Sequence, residues 1–329
     1  MASGSKKVIY AALFGNAGIA VTKFIAAALT GSSAMISEAI HSVVDTGNQV
    51  LLLWGVKRAS KPPDARFPFG HGKEIYFWSF VVAILIFAVG AGVSIYEGIK
   101  HLMHPPSETH DPTVNYIVLA IALAFEGFAW FMAWKQFRTD KGSLGYFQAV
   151  SRGKDPTMFV VLFEDSAAML GLIVAGVGIA LTQVTGNVLY DGLASVIIGL
   201  ILAGVAIWLA YETKGLLIGE SASEDIERQL KALVGEHEHV QNVNELVTLH
   251  MGPEFILVTM SLDFGDDLDA AVVKETIAQL NSQVKNAVPN IKRVFIEAES
   301  WADHQTQTRQ EQENAPKEDG GGQTTDEHG

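Results

Sequence analysis

Four residues between positions 38 and 48, Glu38, His41, Asp45 and Asn48, are of types that hold cations or protons. They recur every three or four residues, so a helix would set them along one stripe. His41 and Asp45, one turn apart, would aim an imidazole nitrogen and a carboxylate at one point, the donor pair that a small divalent cation takes. The same residues could instead form a hydrogen-bonded pair that packs one helix on another. Their surroundings are apolar, and ionisable groups in lipid are costly and mark ion pathways.

A second group lies at Glu164-Asp165, about two turns inside another apolar run. Adjacent helical residues point about 100° apart, so both cannot face one ion equally unless the helix is distorted. Two neighbouring carboxylates in such a run point to function rather than packing. With His41 and Asp45 they could supply three or four nitrogen and oxygen ligands. Such a set suits Zn2+ and, with less preference, Mn2+, Fe2+, Co2+ or Cd2+. Metal binds neutral imidazole and ionised carboxylate, so protons compete with it for the site. Glu126 is a further candidate in a fourth apolar run, where ligation, helix packing or a proton relay would each fit. Lys23 in the first run could snorkel or pair with an acid. Asp191 reads as a carboxylate at a helix N-terminus.

The elements that must position these residues are long. Six segments, at 8–29, 34–56, 75–102, 114–137, 158–184 and 189–211, have the length and apolarity to span a bilayer as helices. Lys57, Arg58, Lys61, Arg66 and Lys73 lie between the second and third; Lys135, Arg138, Lys141, Arg152 and Lys154 lie between the fourth and fifth. Lys6, Lys7 and Lys214 fall on the same side, which places both termini and both basic loops in the cytoplasm. No cleavable signal is expected, because the first run is long and lacks a small-residue cleavage site. The chain has no cysteine, which excludes disulfides and thiolate ligands. No His-Glu-x-x-His occurs, so the signature of a helical zinc protease is missing. A membrane scaffold or sensor with a structural ion remains the alternative to a transporter.

After about residue 215 the pattern becomes that of a small soluble domain. Its expected order is α-β-β-α-β: helices at 224–236 and 270–287, and strands at 244–250, 256–264 and 294–298. The net charge of −13 belongs to this end. From Ala302 onward seven acidic residues stand against Arg309 and Lys317, and this composition predicts a disordered tail. The expected division is therefore a six-helix transmembrane domain at 1–215, a cytoplasmic α+β domain at 216–300 and an acidic tail at 301–329.

His41-x-x-x-Asp45 resembles the motif of the cation diffusion facilitators, in which paired motifs on spans two and five form the transport site. Pro68-Phe-Gly-His-Gly-Lys73 resembles the same family's signature before span three, and the order of all parts agrees over roughly residues 8–300. The resemblance implies a Zn2+/H+ antiporter that moves divalent cations out of the cytoplasm by alternating access. It implies a homodimer joined through a metallochaperone-like soluble domain, a bacterial inner-membrane location, no cofactor, no enzymatic activity and no nucleic-acid partner. It makes His41, Asp45 and Asp165 ligands. Val161 stands where the remaining ligand belongs, with Glu164 the obvious substitute and Glu126 another candidate. In the loop site of the family, Asp64 and His71 match but Phe67 replaces a histidine, so this site should be weak or absent. In the soluble domain Thr259, Glu297 and Glu299 stand at ligand positions, with His250 and either His237 or His239 near, which argues against a two-metal histidine site. A charge interlock would join Lys73 to an acid near Glu220.

Overall fold

The computed structural model describes residues 3–105, 113–141, 145–146 and 154–314. The chain divides into two compact units after Glu220, with His250–Phe255 grouped with the first. The expectations for residues 315–329, and for Arg152 in the second basic loop, lie outside the described residues.

The first unit is helical. Helix α1 (Ser3–Thr30) ends at Gly31, whose positive φ of 67° reverses the chain, and Ser32 caps helix α2 (Ser33–Ala59) by accepting from Met35 N. Helix α3 (Glu74–Leu85) runs through a π-helical segment, Ile86–Ala91, into helix α4 (Gly92–Met103). Helix α5 spans Thr113–Asp140. Helix α6 (Pro156–Thr185) starts on the Asp155 cap with proline in its first turn and stops at Gly186, again with φ positive. Helix α7 spans Leu189–Ile218.

All six expected segments are therefore helical. Among the described residues, four helical stretches are long and apolar enough to cross a membrane: Glu74–Met103, Thr113–Arg138, Phe159–Thr185 and Leu189–Ile218. The count of six is not reached by this measure. Only Asn16–Thr30 of α1 counts as an apolar stretch, and the hydrophilic stripe of α2 lowers its mean hydropathy. Phe125, Phe128, Leu170 and Leu200 point outward and are more than half exposed. Such an apolar exterior suits lipid and would be a liability in water.

Small residues bring the helices together. A Cβ on Gly98 would lie 2.7 Å from Val196 N, and one on Gly199 would lie 2.9 Å from Ile95 N, so α4 and α7 touch backbone to backbone. Ser195 adds a polar link: its hydroxyl donates to Ser94 O at 2.9 Å and meets the Ser37 hydroxyl of α2.

The second unit is α+β. It contains helix α8 (Glu224–Gly235), strands β1 (Val240–Gly252) and β2 (Phe255–Phe264), helix α9 (Ala270–Ala287) and strand β3 (Ile291–Ala298). The sheet order is β1-β2-β3, and β2 and β3 are parallel with Val258 opposite Val294. Leu230, Val234, Val258, Leu262, Leu280 and Val284 fill the core between sheet and helices.

The expected disorder from residue 301 does not hold for its first part: Trp301–Asn314 forms helix α10. Its start is tied down, because Trp301 N donates to Asp263 Oδ2 at 2.9 Å and Ser300 Oγ accepts from Asp303 N at 3.2 Å. His304 Nδ1 lies 3.0 Å from Glu299 Oε2. Composition excluded a core here, not a capped polar helix.

Candidate metal and proton site

The helical period of α2 sets its four polar residues on one inward stripe, and all are buried: Glu38 0%, His41 1%, Asp45 7% and Asn48 0% exposed. His41 Nδ1 approaches Asp45 Oδ1 at 3.3 Å. Helix α6 packs against this stripe and supplies Glu164, whose Oε1 accepts from Asn48 Nδ2 at 2.6 Å. The Asp45 and Glu164 carboxyl groups are within hydrogen-bond reach of each other. The structure thus sets His41 and Asp45 of α2 beside Glu164 of α6 through pairwise contacts. Asp165, one residue on, is half-buried, and Val161 is packed against the apolar core. Trp130 Nε1 donates to Ser166 Oγ at 2.9 Å and joins α5 to α6 just beyond the two acids.

The stripe carries unused bonding capacity. Both ring nitrogens of His41, Asp45 Oδ1 and Asn48 Oδ1 are buried without a hydrogen-bond partner. Buried polar atoms are rarely left so, and a run of them along one helix face fits a ligand with positive charge. Among the described residues no group of three or more His, Asp or Glu side chains is placed to hold a metal ion as the helices stand.

Beside the stripe lies a second buried group. Lys23 of α1 is fully enclosed and donates to Glu38 Oε2 at 3.1 Å, Ser42 Oγ at 2.8 Å and Glu126 Oε1 at 2.9 Å. Lys23 therefore pairs rather than snorkels, and Glu126 is engaged by an ammonium rather than placed with His41. Asp191 faces a helix end, as its position predicted, but the end of α2: it accepts from Ser32 Oγ and Ser33 N, both at 2.6 Å. His101 Nε2 stands 3.8 Å from the same carboxylate.

The lower-ranked candidates fall elsewhere. Asp64 Oδ2 lies 2.9 Å from His71 Nε2, while its other oxygen accepts from the Arg66 and Phe67 amides. The His71 contact, with those amides, holds the Asp64 carboxyl below its ordinary range. The Phe67 ring packs on His71 with centroids 4.5 Å apart, and Glu74 is taken by Arg58 at 2.7 Å. This arrangement closes a loop. His250 is buried in β1, its Nδ1 3.3 Å from Gly252 O, and burial lowers the proton affinity of its imidazole. Thr259 and Glu297 are exposed, whereas Glu299 is half-buried and accepts from Ser261 Oγ. His237 and His239 sit with ring centroids 5.7 Å apart.

The expected interlock is made by a different lysine. Lys154 pairs with Glu220, helped by Tyr76, whose hydroxyl donates to Lys154 O at 3.2 Å. Lys73 instead donates to Ile218 O at 3.4 Å. Sequence reasoning also missed Asn48 as the partner of Glu164 and Ser42 as the third partner of Lys23. The available signals were the helical spacing of Glu38 to Ser42 and a lone lysine in an apolar run.

Apolar outer faces around a buried row of imidazole, carboxylate and amide define an integral membrane helix bundle built to handle a cation. The chain belongs to the cation efflux family, the cation diffusion facilitators: the family described as Cation efflux transmembrane domain matches residues 9–218. Among similar proteins is a "Proton-coupled zinc antiporter SLC30A9, mitochondrial" of Xenopus laevis, 36% identical over 264 residues, covering 79% of this chain and 47% of that protein. "Metal tolerance protein C4" of Arabidopsis thaliana is 29% identical over 236 residues, covering 70% of this chain and 50% of that protein. "Manganese efflux system protein MneP" of Bacillus subtilis is 21% identical over 302 residues, covering 89% and 95%. The chain spans about half the length of the first two.

Proposed function

We propose that this chain is a divalent-cation efflux transporter that exchanges Zn2+ for protons by alternating access. The observation that carries this reading is the buried, under-bonded donor row of His41 and Asp45 on α2 beside Glu164 on α6. His41, Asp45 and Glu164 hold the ion, with Asp165 completing the shell when α6 rotates. The metal needs these groups deprotonated, so protons arriving from the far side displace it and complete the exchange. Three carboxylates to one imidazole make a harder site than a two-histidine one, so discrimination against Mn2+ and Cd2+ is modest. The zinc antiporter and the manganese efflux protein among the relatives support Zn2+ and Mn2+ as candidate ions.

In this reading α1 and α2 cross the membrane with the other four, both termini face the cytoplasm of a bacterial cell, and the working unit is a homodimer. Proteoliposomes with a zinc-sensitive dye inside and an imposed pH gradient provide the test. Wild-type protein accumulates zinc in proportion to the gradient, and Asp45→Ala does not, while both elute as the same oligomer. Saturable zinc binding without accumulation would instead indicate a scaffold or sensor.

A further inference from the structure

The mechanism above makes no use of Lys23. All three hydrogens of its ammonium are engaged, by two carboxylates and one hydroxyl on two other helices. Each carboxylate keeps one buried oxygen with no partner, Glu38 Oε1 and Glu126 Oε2. With Ser42 Oγ these atoms form an all-oxygen set of the kind that binds a hard divalent ion. Helix α6 leaves room for the set, because a Cβ on Gly171 would collide with Glu38 Oε1.

We propose that Lys23 is a resident cation: its ammonium occupies a second carboxylate pair on the ion stripe, Glu38 with Glu126, and so restricts the helical unit to one divalent ion per protomer. The proposal rests on the α2 stripe being the ion path. Glu38 lies one turn before His41 and Ser42, so an ion entering the stripe would meet two carboxylate clusters in succession. A tethered ammonium satisfies one of them permanently, because it cannot diffuse away. Two buried carboxylates left without their cation would be strongly unfavourable, so a divalent ion, in competition with protons, takes the place of the ammonium. Lys23 thereby acts as a specificity-determining residue: it sets how many ions the carrier holds, and it keeps exchange at the His41–Asp45–Glu164 cluster.

The test counts ions. Full-length protein is equilibrated with zinc chloride in detergent, and bound zinc per protomer is measured by elemental analysis and calorimetry. Lys23→Met should bind one more zinc than wild type, and adding Glu126→Gln should remove the extra ion. A folded Lys23→Met protein with the wild-type count overturns the proposal. If Lys23→Met cannot be purified without metal, recovery on adding zinc supports the idea, and failure of zinc to rescue it refutes it. Wild-type flux is measured alongside. No flux in wild type sinks the transport reading itself, whereas normal flux with an unchanged zinc count in Lys23→Met sinks only this inference.

Discussion

Asn48→Leu separates a held ligand from an incidental contact. Asn48 is fully buried, and its amide donates to Glu164 Oε1 at 2.6 Å, so the substitution removes a buried hydrogen bond to a carboxylate. A hydrogen bond to a charged group contributes about 1.5–3 kcal/mol. At about 1.4 kcal/mol per tenfold, that corresponds to ~10–150-fold in affinity. Residues that orient metal ligands give the same range, about 10–100-fold on removal. Zinc binding to Asn48→Leu should therefore weaken by one to two orders of magnitude in calorimetry. In proteoliposomes the half-saturating zinc concentration should rise with a smaller fall in maximal rate. The result that refutes the reasoning is zinc affinity equal to or tighter than wild type in Asn48→Leu, since Asn48 would then compete with the metal for Glu164. Near-normal binding in Glu164→Gln as well would remove Glu164 from the site.

Three further outcomes follow from other parts of the structure. His71→Ala should leave the number of zinc ions per protomer unchanged, because His71 serves the Asp64 turn; calorimetry showing a lost site would contradict this. Burial holds the His250 imidazole below its ordinary pKa of 6.5, so the folded protein resists a proton that the unfolded chain accepts. Its contribution is complete above about 6.5 and is lost as pH falls from there toward the lowered value, so melting curves of His250→Leu should decline less on acidification than wild type. Gly171→Ala should destabilise by about 1–3 kcal/mol through overpacking against Glu38. Gly176→Ala, whose added Cβ would lie 4.0 Å from Leu119 Cδ1, an ordinary contact, should be nearly neutral in the same thermal assay.

Much was readable from local pattern alone. A helix is built from bonds between near neighbours, so apolar runs of spanning length located the long helices. The same period placed Glu38, His41, Asp45 and Asn48 on one stripe, and alternation located the three strands. Which of Glu164 and Asp165 meets that stripe is a question of helix rotation, about 100° between the two, and rotation is set by packing against distant segments. Asn48 and Glu164 are separated by 116 residues, and Lys23 and Glu126 by 103, so no local rule could pair them. The π-helical segment at Ile86–Ala91 leaves no mark in the apolar sequence, where an α-helix would satisfy the same composition. Helix α10 formed because Asp263 and Ser300 cap it, and the Asp263 contact exists only once the sheet has folded. The sequence by itself determined the chemistry available and the helix faces that carry it; tertiary packing decided which distant side chains share a charge, because burial forces each charged group to find a partner that local structure cannot supply.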